Sequence, residues 1–88
     1  MNAPKLEANK CSVAIAEYKT GKVFKRNLSV FQGGENESDV FQVFNDFTQA
    51  KEFVVKFIKA NSDFECTICN DQGEHVATFD PTGERKME

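Results

Sequence analysis

The chain has 88 residues, 40 % of them hydrophobic and 28 % charged, and a formal net charge of −3. That length supports one core and one domain, the charged fraction is that of a folded rather than a disordered chain, and the mild acidity argues against a binder held to polyanions by bulk charge. The longest apolar run, Val13-Ala14-Ile15-Ala16, is far shorter than a membrane span of ~20 residues or the ~7–15-residue apolar stretch of a secretory signal, so no membrane association is expected.

Residues 1–10 show neither a two-residue nor a 3.6-residue apolar period and read as a flexible N-terminal tail. A single α+β domain is expected over 11–80. Cys11, Val13 and Ile15 alternate with Ser12, Ala14 and Ala16, as in an inner strand whose second face is only weakly polar. Gly21 supplies the positive φ of a tight hairpin, and Val23 to Phe31 reads as the returning strand. The segment 32–39, with two adjacent glycines, three acids and no apolar side chain, reads as a mobile loop.

Val40 to Phe44 is a β-prone run that suits a short third strand, and Asn45-Asp46 then offers a helix N-cap. Asp46 and Gln49 have the spacing of a capping box. Phe47, Ala50, Phe53, Val54, Phe57 and Ile58 fall on one helical face, which leaves Val55 mostly exposed. Phe64 to Cys69 alternates as a strand, Asn70 to Gly73 as a type I turn with Gly in the bulge position, and Glu74 to Phe79 returns. Residues 81–88 read as a flexible C-terminal tail. The architecture predicted is an antiparallel sheet of four or five strands with one helix on one face, in the order ββ(β)αββ.

None of the side-chain constellations has the full set a catalytic or metal site needs, and no cofactor is expected. Cys66 and Cys69 have metal-knuckle spacing, but in a strand they lie on opposite faces ~10 Å apart. A bulge at Gly73 puts Cys69 opposite His75, but two ligands do not close a zinc site, and Cys11 adds a third only if its strand neighbours this one. His75, the sole histidine, lacks an orienting carboxylate and a nucleophile in a pocket. Gly33-Gly34 lacks the Lys-Ser/Thr of a phosphate cradle, and Glu35, Glu37 and Asp39 lack the remaining ligands of a calcium loop. The three cysteines, an odd number, are expected to be reduced thiols in a cytoplasmic protein.

The expectation is therefore a non-enzymatic protein-binding module, inhibitor-like or immunity-like, a monomer or weak homodimer that occludes an unidentified protein partner. Its binding residues would be Tyr18 and Phe79 on the uncovered sheet face, with Ala14, Ala16 and Ala77, and the acids Glu35, Glu37 and Asp39 of the loop. The alternative is a small nucleic-acid-binding protein that uses Lys22, Lys25 and Arg26 of the first hairpin, where Tyr18 and Phe24 interleave the cations.

Overall fold

Alternation along the first apolar segment yields the central strand of the protein. In the computed structural model, which describes residues 3–32 and 37–86, β1 (Cys11–Glu17) is flanked on one side by β4 (Phe64–Cys69). On its other side it pairs with both β2 (Val23–Phe24) and β3 (Gln42–Phe44). Beyond β4 lie β5 (His75–Asp80) and β6 (Gly83–Lys86), every pairing being antiparallel. The order β2-β1-β4-β5-β6, with β3 sharing the edge of β1, makes a sheet five positions wide. Helix α1 (Phe47–Ala60) packs on it, so the α+β architecture is the one the sequence predicts.

The helix begins where its cap dictates. The Gln49 N–H donates to Asp46 Oδ1 at 2.8 Å, while Gln49 Oε1 accepts from the Asn45 N–H at 3.3 Å. Its polar side, Lys51, Glu52, Lys56 and Lys59, faces water. Its apolar side seats Ala50 and Val54, both 0 % exposed, on Cys11, Val13, Ile15, Cys66, Ile68, Ala77 and Phe79 of the sheet. Val55, expected at the surface, is half-buried against this core, as are Phe53 and Phe57. Ala50 and Val54 mark the centre of the stripe, and Phe53 and Val55 each sit one residue, about 100°, to either side of it. The small Ala50 lets the helix lie close, and the flanking rings close the side of the core. Phe44, Phe53, Phe57, Phe64 and Phe24 form a row with successive centroids 5.2, 5.8, 5.7 and 5.0 Å apart.

Three segments depart from the sequence reading. The returning strand is only Val23–Phe24, with one further bridge from Phe24 to Val30. Between them Asn27 Oδ1 accepts from the Ser29 N–H at 3.0 Å and Leu28 takes a positive φ of 67°, so a side chain competes successfully with the ladder. Residues 83–86, expected in a flexible tail, form β6, with Phe79 opposite Glu84 and Asp80 opposite Gly83. Residues 3–10, also expected to be a flexible tail, are fastened to the β4–β5 turn: the Leu6 N–H donates to the Asp71 carbonyl and the Asn9 N–H to Asp71 Oδ2, each at 2.8 Å.

That fastening depends on Gly73, whose φ is +79° and where an added Cβ would lie 2.8 Å from the Ala3 carbonyl oxygen. Gly73→Ala is expected to cost about 1–3 kcal/mol through both the positive φ and the clash. It should also raise the exchange rate of the Leu6 amide, measured by hydrogen exchange alongside chemical denaturation; an unchanged Leu6 rate would mean that the segment is held from elsewhere.

Candidate functional site

The sheet face away from the helix is assembled by the strand registers. β1 contributes Ser12, Ala14 and Ala16, paired in turn with Cys69, Thr67 and Glu65 of β4. β5 adds His75 opposite Cys69 and Thr78 opposite Thr67. The expected turn geometry is present: the Asn70 N–H donates to the Glu74 carbonyl at 2.8 Å, and Gly73 takes the bulge position.

A second irregularity then shifts the register between Ile68 and Cys69, so that Ile68 faces Ala77 and Val76 is the extra residue. This one-residue slip exchanges the faces of everything that follows in β5. Ala77 and Phe79, expected on the open face, lie on the helix side, and Phe79 is 6 % exposed within the core. Phe79 therefore does not lie on the open face where it was expected, and Thr78 stands opposite Thr67 in the position expected for Ala77.

Ala3 and Phe41 wall a hollow of about 330 Å³ whose lining includes Ala14, Ala16, Thr67 and His75. His75 Nε2 and Thr78 Oγ1 are 2.7 Å apart, and Thr78 Oγ1 is 3.4 Å from Thr67 Oγ1, so a polar chain links His75 and Thr67, both of which line the hollow. Ser12 Oγ, on the same face, is fully buried and makes no hydrogen bond among the described residues.

The cysteines are distributed as their spacing predicts. Cys66 lies in the helix-side core, whereas Cys69 pairs with His75 on the other face. Burial, reinforced by the neighbouring Glu65 carboxylate, pushes the Cys66 thiol up to about 12. Burial also raises Cys11, with smaller contributions from Asp46 and Asp71, and raises Cys69, with a smaller one from Cys11. Thiols held neutral in this way are poor nucleophiles and poor metal ligands. Among the described residues no three His, Cys, Asp or Glu side chains converge as a metal site.

Of the charged residues singled out in the sequence, Arg26 and Asp39 meet. Arg26 lies 3.8 Å from the Asp39 carboxylate, its N–H donates to the Asp39 carbonyl at 2.8 Å, and Lys25 and Asn27 complete a hollow of about 400 Å³ around the pair. The basic hairpin and the acidic loop thus partly neutralise each other. Lys22 is exposed in the β1–β2 turn, and Tyr18, 40 % exposed, follows the end of β1 with its N–H on the Asp63 carbonyl. Glu37 begins the 3₁₀ turn Glu37–Asp39, and Glu35 lies outside the described residues. No described helix is long and apolar enough to cross a membrane.

What defines the protein at this point is its fold, a single helix on one face of an antiparallel sheet. Comparison with known proteins adds no relative to it: no family model, no curated protein and no solved structure matches.

Proposed function

We propose that the chain is a non-catalytic protein-binding module that works in the cytoplasm and occludes a partner, in the manner of an inhibitor or immunity protein, through the sheet face opposite the helix. The observation that carries this reading is the hollow between Ala3 and Phe41, floored by Ala14 and Ala16 and ending at Thr67 and His75. Small apolar residues let a partner backbone or ring approach closely, while the Thr and His groups give orientation. Tyr18 extends the surface at the end of β1. Three free thiols, all buried, support a reducing compartment.

The nucleic-acid alternative is the weaker reading, because Arg26 already shares its charge with Asp39 and each phosphate contact requires an available cation. Affinity capture from the native cell separates the two. The parent chain should retain a protein that Ala14→Arg and Ala16→Arg lose and that the triple change Lys22→Glu, Lys25→Glu, Arg26→Glu keeps. Recovery of nucleic acid that only the triple change abolishes would replace this proposal with the alternative.

A further inference from the structure

The outer side of α1 carries a feature that the sheet face does not use. Phe47 and Val55, eight residues and so about 12 Å apart along the helix axis, line a shallow hollow of about 550 Å³ together with Lys51, Lys56 and Lys59. Glu52 is the one acid among its lining residues. Three cations against one anion give this surface a local net charge of +2 on a chain whose net charge is −3.

We propose that this hollow docks an acidic amphipathic peptide segment of a partner protein, with an apolar side chain over Phe47 and Val55 and carboxylates at Lys56 and Lys59. Charge complementarity selects that occupant: the rim is opposite in sign to the net charge of the molecule, so it steers and orients an anionic segment. Lys56 and Lys59 are three apart, adjacent on the helix surface, which matches carboxylates spaced one turn apart on a docked helix. A lipid surface fits less well. A helix that lies on a membrane needs a wide free apolar face, whereas Phe47 and Val55, half-buried against the sheet core, leave only enough apolar surface for a docked side chain. The hollow lies on the helix side of the sheet, so this proposal stands or falls separately from the one for the opposite face.

The test is a titration of the full chain with a synthetic peptide of about 12 residues carrying Glu and Leu at helical spacing, followed by backbone amide NMR. Shifts should concentrate at residues 47–59 and leave Ala14 and Thr67 unmoved, and affinity should weaken at raised salt. The double change Lys56→Glu, Lys59→Glu should lower affinity about tenfold or more; both positions are exposed, and an unchanged thermal unfolding curve checks that the variant folds. Absence of binding at low ionic strength, shifts centred on the opposite sheet face, or equal affinity in the double variant would each overturn the proposal. So would binding to phosphatidylserine vesicles by a chain that ignores the peptide, which would assign the rim to a membrane.

Discussion

Phe79→Ala is expected to lower the free energy of unfolding by about 3–5 kcal/mol, the usual cost of removing a buried ring and leaving its cavity. A chain of this size has on the order of 4–13 kcal/mol in total, so the variant would be marginal or unfolded at ambient temperature. The reason is positional. Phe79 stands opposite Cys66 in the β4–β5 ladder and joins Ala50, Val54 and Ile68 in the core. Tyr18→Ala, at an exposed position 40 % open to solvent, should change stability by less than about 0.5 kcal/mol. Urea denaturation of both variants measures the contrast. A cost under about 1 kcal/mol for Phe79→Ala would mean that β5 pairs without the bulge at Val76 and presents Phe79 on the open face.

That bulge marks the boundary of what the sequence makes legible. Periodicity identifies α1 and the central strand because an apolar stripe at 3.6 or 2 residues is a property of the chain itself. The cap at Asp46 and the turn at Gly73 are legible for the same reason: each needs a particular residue at a particular place. The extra residue at Val76 needs none, since a register shift is decided by which of two apolar sets packs better across the sheet. Ala77 and Phe79 compete with Val76 and Thr78 for the inward face without a local signature.

The segments 3–10 and 83–86 escape for a related reason. They are held mainly by backbone hydrogen bonds, which any sequence can make, so the polar composition at Lys5, Glu7, Glu84 and Arg85 conceals their order. The meeting of Arg26 with Asp39 is equally hidden, because it joins two segments that composition alone reads as separate basic and acidic patches. The candidate surface is legible in its alanines and in the pairing of Cys69 with His75; Thr78 and Phe41 are brought there by the register and by the path of the chain into β3.

The cysteine at the base of the core makes stability depend on alkaline pH in a direction that can be worked out. Cys66 is 0 % exposed, and its thiol titrates near 12 instead of the ordinary 9.0, chiefly because ionising it would place a charge in the apolar layer between sheet and helix. The folded state therefore holds this proton more tightly than the unfolded chain does. Its contribution to stability is complete below pH 9 and is lost progressively as pH rises from 9 towards 12. The gap is worth on the order of 4 kcal/mol over that window. Cys11 and Cys69 are raised in the same direction and add to the decline. Chemical denaturation at intervals from pH 8 to about 11 should show the unfolding free energy falling steadily in the parent, and Cys66→Ala should flatten that fall while lowering stability at pH 8 by the smaller cost of a lost sulfur contact. The two proteins share every other ionisable group, so the difference between the two curves isolates the thiol. Parallel curves would mean that Cys66 reaches water before it ionises, and that the layer between Val54 and β4 opens more readily than its packing implies.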